Sequence, residues 1–369
     1  MTFDARPSPR ILFGPGRLAD LPEAVQTLKA QRILLVTDPG IAAAGHVGHA
    51  TDLLEKAGLE VAVYDQSHIN PSESDIEACR VFAAEVKPDL IIGFGGGSSM
   101  DTAKGCNFLL NNGGRMSDYK GYGHARNPLL PFIAVPTTAG TGSECQSFAV
   151  VSRDGSHEKI ACGDPKALAK VAILDPELTV SQPSAVANLT ALDALSHALE
   201  TAVCTKRNPI SSAYSRESFR LIASSIHAIL EGNADLEDRS RMLLGAAMAG
   251  SAIENSMLGA AHATANPLTA LFDIPHGHAV FLMLPHVIRF NHQNEEAAAI
   301  YDDFSKHLGQ PLLDWMDPIR HVLPDLNNDD WRIPELTAAA MPQWTGQFNP
   351  RPLTEDIVSE LYHAALTTT

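Results

Sequence analysis

The chain has 369 residues, 45% of them hydrophobic and 19% charged, with a formal net charge of -16. This is a globular composition long enough for two domains. The acidic balance argues against a nucleic-acid or anionic-membrane partner, both of which want a basic surface. Five scattered cysteines, Cys79, Cys106, Cys145, Cys162 and Cys204, form no C-x-x-C pair. A disulfide framework and a thiolate zinc site are therefore not expected, and a reducing, cytoplasmic compartment is. "MTFDARPSPRILFG" lacks the basic-then-apolar layout of a signal peptide, and apolar stretches such as "AVFLMLPHVI" are too short to span a bilayer.

In chain order, "RILLVTD" (Arg32 to Asp38) reads as a strand and "IAAAGHVGHATDLLEKAG" as a helical region. "EVAVYD" is a second strand, followed by the helical "SESDIEACRVFAAEV". "PDLIIGFGGG" is a third strand running into glycine, and "LPFIAVPTT" a fourth. Strands alternating with helices imply right-handed crossovers and a parallel sheet. From about Ser181 strand signals nearly vanish, and "SAVANLTALDALSHALETAVC", "SAYSRESFRLIASSIHAIL", "DRSRMLLGAAMAGSAIENSM" and "TEDIVSELYHAALTT" all read as helices. The proline-bearing "DPELTVSQPS" marks the junction, which divides the chain into domains 1–180 and 181–369. No internal repeat or low-complexity segment is visible.

Two loops carry ligand-binding chemistry. "GFGGGSSMDTAKG" (Gly93 to Gly105) follows a strand and opens a helix. Its glycines allow backbone N–H groups to approach a phosphate, and Ser98 and Ser99 add hydroxyl donors. Asp101 falls in the first helical turn. The strict G-x-G-x-x-G pattern fails at Ser98, so phosphate binding is favoured over a plain turn without being a regular dinucleotide fingerprint. "PTTAGTGSE" (Pro136 to Glu144) follows the next strand, and two such loops at neighbouring strand ends are where an open α/β sheet binds its ligand. Asp38, in "VTDPG", is equally turn chemistry or an acid placed for ribose hydroxyls.

In "LDALSHALE" (Leu192 to Glu200), Asp193 and His197 stand four residues apart and so share a helix face. "HATANPLTALFDIPHGHAVFLMLPHVIRFNH" crowds His262, His276, His278, His286 and His292 among apolar neighbours. Buried imidazoles need partners, and a three-His, one-carboxylate site for Fe(II) or Zn(II) would supply the reason. His286, after a proline, reads as structural, and His292, before a polar run, as exposed.

At these residues the sequence resembles the iron-containing (group III) alcohol dehydrogenases over nearly its whole length. "ILFGPGRLADLP", "GGGSSMDTAK", "PTTAGTGSE", "DALSHALE", "HATANPLTALFDIPHG", "LPHVIRFN" and "FNPRPLTEDIVSELYHAAL" occur in the family's order and spacing. The resemblance implies the dehydroquinate-synthase-like fold of that family: a Rossmann-like α/β dinucleotide-binding domain (1–180) followed by an all-α metal- and substrate-binding domain (181–369). It implies that Asp193, His197, His262 and His276 bind a divalent metal, Fe2+ before Zn2+. It places Gly96, Gly97, Ser98 and Asp101 at the cofactor pyrophosphate and Thr137, Thr138 and Thr141 along the dinucleotide. Asp38 would meet the adenosine ribose, favouring NAD, and Asn70 and Lys159 would also contact the cofactor.

The implied activity is NAD(H)-dependent interconversion of an alcohol and an aldehyde, with the metal polarising the substrate oxygen in a cleft between the domains. A homodimer or higher homo-oligomer is also implied. One departure stands out. Many members carry a second His four residues after the position of His262, and here that residue is Asn266, which cannot titrate. With Asn266 in that catalytic position, His278, or a chain through the cofactor ribose and solvent, becomes the expected proton route. The stretch from Asn291 to Gln347 is also short for the family. The competing readings are a metal-independent reductase like the maleylacetate reductases and a non-catalytic relative that binds nucleotide or metal. A sugar-phosphate cyclase would need a basic phosphate pocket, and little Lys or Arg lies near the histidines in the sequence.

Overall fold

The structure, a computed structural model, describes residues 2–366 apart from 7, 156, 157, 321, 325, 327 and 329. They form two compact units that divide between Gln182 and Pro183, and the residues up to Arg6 belong with the second.

In the first unit the strands are β1 (Arg10–Phe13), β2 (Arg32–Val36), β3 (Glu60–Tyr64), β4 (Leu90–Gly95), β5 (Gly121–Tyr122), β6 (Phe132–Pro136), β7 (Phe148–Ser152), β8 (Lys159–Gly163) and β9 (Val171–Leu174). Six of them form one sheet in the order β1-β9-β6-β4-β2-β3, and every ladder in it is parallel. The continuous apolar runs follow from burial on both faces. Ile33 and Leu35 of β2 enter the core on one side, Leu34 and Val36 the core on the other. After β3 the chain returns across β2 to lay down β4. That reversal opens a crevice at the carboxyl ends of β2 and β4, where Asp38 and the glycine loop sit.

The four strands expected from β-branched runs are β2, β3, β4 and β6. The three-stranded sheet β5-β8-β7 is not anticipated: β5 has two residues, and β7 and β8 are an antiparallel pair outside the strand–helix alternation that signals the parallel sheet. The helical region after β2 is two helices, Pro39–Ala43 and His46–Lys56, broken where Gly45 takes φ 85°.

The second unit is helical, with no strand among its described residues. Its first helix, Ser184–Val203, is buried at every position from Ala191 to Val203, as an all-round apolar helix must be. Pro209–Ala223 begins at Asn208, whose side chain accepts from the N–H groups of Ile210 and Ser211. A break at Ser224 and Ser225 separates it from Ile226–Glu231, where the sequence reads as one continuous helix. Leu236–Glu254 and His276–Asn291 pack against Ser184–Val203, while Ala260–Phe272 and, near the end, Glu355–Leu366 pack against His276–Asn291. Gly277 matters here. A Cβ at that position would lie 2.0 Å from the Leu189 carbonyl oxygen, so helix His276–Asn291 packs directly against the backbone of Ser184–Val203. No helix among the described residues is long and apolar enough to cross a membrane.

Candidate active site

The first unit builds its site where β2, β4 and β6 end. Gly95 closes β4 at φ 147°, a conformation side chains rarely take, and a Cβ there would lie 2.5 Å from Ser99 Oγ. Beyond it, a Cβ on Gly97 would lie 2.7 Å from Thr141 Cγ2, and one on Gly96 3.3 Å from Thr138 Cγ2. Bare backbone is what lets the two loops meet. Helix Gly97–Asn112 starts at Gly96 with no side-chain cap, which leaves its leading N–H groups without the side-chain acceptor that a cap would supply. Thr137 donates its N–H to the Gly95 carbonyl at 3.1 Å, and its buried Oγ1 has no hydrogen-bond partner among the described residues.

Asp38 plays the turn part of its two readings, and its second oxygen reaches the glycine loop. Oδ1 accepts from Ile41 N–H at 3.0 Å as a helix cap, and Oδ2 accepts from Ser99 Oγ at 3.0 Å. Asn70, left-handed at φ 53°, donates its N–H to Ser98 Oγ (3.2 Å) and accepts from Lys159 Nζ (2.6 Å) at Oδ1. The expected cofactor residues Asn70, Ser98 and Lys159 are therefore neighbours. Burial lowers the Lys159 ammonium against the pull of Asp101. Burial likewise raises Asp101 to about 6, against Lys104, a hydrogen bond from the Val150 backbone, Lys159 and a hydrogen bond with Ser143. The sequence reading passed over Lys104. It is buried and donates to Ser143 O, Ser143 Oγ, Gln146 O and Phe148 O at 2.6–3.0 Å, pinning the second loop to the glycine helix.

The second unit gathers the metal candidates. Asp193 Oδ1 lies 3.4 Å from His197 Nε2, 3.5 Å from His262 Nε2 and 3.7 Å from His276 Nε2. Ligand atoms of Asp193, His262 and His276 all lie within 4.8 Å of one another. His197 stacks on His262 with ring centroids 4.8 Å apart and planes at 16°. The three histidines named by the resemblance thus each bring Nε2 within 3.7 Å of the fourth residue's Oδ1.

Asp193 Oδ1 and His262 Nε2 are buried and have no hydrogen-bond partner of good geometry among the described residues. Such atoms are costly unless something satisfies them. Three imidazoles and a carboxylate are a donor set for first-row divalent ions, so the residues present fit the implied metal. Burial would raise the Asp193 carboxyl, but His197, His262 and His276 together hold it well below the usual range. His262 goes the other way. Burial disfavours its charge, yet Glu200 and Asp193 raise it to about 9.

The other histidines stand apart. His278 follows His276 by two positions in the same helix, roughly 200° around the axis, so the two side chains leave from opposite faces. It is buried, and burial lowers its pKa. His286 is lowered to about 4 by burial and then by Arg289 and Arg320. His292 is half exposed, 3.5 Å from Asp302. Asn266, one turn beyond His262, donates Nδ2 to Gln343 Oε1 at 3.0 Å.

The sequence reading missed Glu200. Its side chain is 3% exposed. Oε1 accepts from Ala261 N–H at 2.7 Å, and Oε2 makes a close contact with His262 Nδ1. The signal was present: Asp193, His197 and Glu200 stand at i, i+4 and i+7, one stripe of a single helix.

A parallel-sheet unit with an uncapped glycine helix, and in the same chain a helical unit that holds a three-His, one-Asp cluster, are parts that suit an oxidoreductase using a dinucleotide and a metal. The family model for iron-containing alcohol dehydrogenase matches residues 8–176, and the model for the C-terminal part of the Fe-containing alcohol dehydrogenase family matches residues 187–366. The chain is 34% identical over 330 residues to alcohol dehydrogenase 4 of Saccharomyces cerevisiae strain YJM789, covering 89% of this chain and 86% of that protein. It is 36% identical over 282 residues to 1,3-propanediol dehydrogenase of Klebsiella pneumoniae, covering 76% and 73%. Among solved structures, an alcohol dehydrogenase from Oenococcus oeni superposes with a TM-score of 0.92 at 28% identity, over 99% of this chain and 100% of that one. A sulfoacetaldehyde reductase from Bifidobacterium kashiwanohense in complex with NAD+ gives 0.90 at 26%, covering 100% of both chains. The chain belongs to the iron-containing alcohol dehydrogenase family and is an oxidoreductase of small alcohols or aldehydes.

Proposed function

We propose that this protein interconverts a primary alcohol or diol and its aldehyde using NAD(H), with a divalent metal, Fe2+ before Zn2+, held by Asp193, His197, His262 and His276. The observation that carries this is the meeting of three Nε2 atoms around the buried Asp193 Oδ1 at 3.4–3.7 Å. When bound, the ion supplies Lewis acidity toward an alcohol or carbonyl oxygen, and the dinucleotide accepts or donates the hydride.

This chain's residues do the rest. Gly96, Gly97, Ser98 and Asp101 would hold the pyrophosphate region, and Thr137, Thr138 and Thr141 would line the dinucleotide. Asn70 and Lys159 would also contact it, and Asp38 would favour a free ribose 2′-hydroxyl over a phosphate. Asp193 is the single anionic ligand, so a loaded site keeps net positive charge, which favours a developing alkoxide. Asn266 cannot take a proton. His278 leaves its helix on the opposite face from His276, so neither it nor Asn266 is assigned the proton. A pH–rate profile unchanged by His278→Gln is the expected result; loss of one limb of the profile would return His278 to the mechanism.

The test of the activity is NADH formation by Fe(II)-loaded protein offered short primary alcohols, 1,3-diols and, in reverse, small aldehydes, with NADP+ in parallel. Turnover of at least one such substrate, with NAD+ preferred, is expected. Tight NAD+ binding with no turnover across the panel would instead favour a non-catalytic relative.

A further inference from the structure

We propose that Glu200 is a positioning residue that locks His262 in the Nδ1–H tautomer, leaving the Nε2 lone pair aimed at the Asp193 cluster; the inference rests on the metal-site reading above. Glu200 lies on the same stripe of helix Ser184–Val203 as Asp193 and His197, seven and three residues on. Its two oxygens have separate duties. Oε1 accepts the Ala261 N–H at 2.7 Å, and Oε2 contacts His262 Nδ1. An ionised carboxylate can only accept, so a neutral His262 facing it must carry its proton on Nδ1, which places the free pair on Nε2. That atom lies 3.5 Å from Asp193 Oδ1 and has no hydrogen-bond partner among the described residues.

The surroundings hold Glu200 in turn. A Cβ on Gly259 would lie 3.1 Å from Glu200 Oε1 and 3.2 Å from Asn349 Oδ1, so the turn that launches helix Ala260–Phe272 is bare at the point of contact. Asn349 Oδ1 accepts from Ala260 N–H at 3.3 Å and from Asn291 Nδ2 at 3.0 Å. The first N–H groups of the helix carrying His262 are thereby tied to Glu200 and Asn349. One carboxylate fixes both the ring and the helix end beneath it.

Glutamine at 200 isolates the role, because it keeps the volume and loses an acceptor. If its oxygen faces Ala261 N–H, its NH2 faces Nδ1, His262 moves its proton to Nε2, and the ligand is blocked. If its oxygen faces Nδ1–H, its NH2 opposes the Ala261 N–H. Either arrangement disfavours the metal. Glu200→Asp keeps two acceptors on a shorter arm.

The experiment is titration of Zn(II) into metal-free native protein, Glu200→Gln and Glu200→Asp, with 15N imidazole spectra of the zinc-loaded forms. Expected are zinc affinity lowered roughly 10–100-fold in Glu200→Gln, partial recovery in Glu200→Asp, and a hydrogen-bonded Nδ1 proton on His262 in the loaded native protein. Equal affinity in native and Glu200→Gln protein would overturn the proposal while leaving the metal site intact. So would a native spectrum with the His262 proton on Nε2, a readout that stands even if the variant does not fold. Native protein that binds no zinc would overturn the metal-site reading itself, and this inference with it.

Discussion

At the residue scale, the site depends on one buried carboxylate surrounded by imidazoles. Asp193→Asn removes the only anionic ligand, and its amide NH2 would oppose an ion. We expect metal affinity to fall at least ~100-fold and alcohol oxidation to fall with it, while NADH binding, read by fluorescence, stays near native; metal content measured on purified protein checks the first half. Asp38→Ala should raise the NADP+ to NAD+ ratio of kcat/KM about tenfold or more, and an unchanged ratio would remove Asp38 from cofactor choice. Asp193 and His197 were legible because a polar pair at i, i+4 in an apolar helix is conspicuous. Which of the five clustered histidines join them was not legible from spacing, because His276 and His278 separate only once the chain between them is known to be helical. Glu200 escaped because an acid near the end of a helix ordinarily reads as a solvated surface residue.

At the element scale, two close approaches set the geometry. Helix His276–Asn291 meets the Leu189 carbonyl across Gly277, so Gly277→Ala must push apart the two helices that carry His276 and Asp193. A loss of about 2–3 kcal/mol is expected from such overpacking, seen as a lower Tm, together with weaker zinc binding; native stability and affinity in that variant would show that the helices can slide without cost. Gly97→Ala should act on the other half of the chemistry. Its Cβ would press on Thr141, raising the KM for NAD+ while zinc affinity is unchanged. The parallel strands and long helices could be read directly, since continuous apolar runs and 3.6-residue periodicity are strong signals. Gly45 and the Ser224–Ser225 pair were invisible as breaks because the apolar pattern continues across them; β5, with two residues, is too short to show a period, and the antiparallel pair β7 and β8 lies outside the strand–helix alternation.

At the scale of the whole molecule, the ligand cluster couples metal, proton and stability. The His262 pKa is raised to about 9 by Glu200 and Asp193 against burial, so its charge stabilises the metal-free fold. By linkage that contribution is fully present below its unfolded value near 6.5 and is lost as pH rises through about 9. Metal-free protein should therefore lose stability between pH 6.5 and 9, and metal should bind with proton release over the same range, its affinity rising with pH. Denaturant melts of the metal-free form across that range check the sign; stability flat or rising with pH would contradict it.

The most direct measurement is activity before and after metal removal: chelator-stripped protein assayed anaerobically for NADH production from a primary alcohol, then reassayed after adding Fe(II) or Zn(II), alongside Asp193→Asn. Activity is expected to disappear on stripping and to return with about one ion bound per chain in native protein alone. Full activity in the stripped protein, or restoration of the Asp193→Asn variant to the native rate, would contradict that expectation.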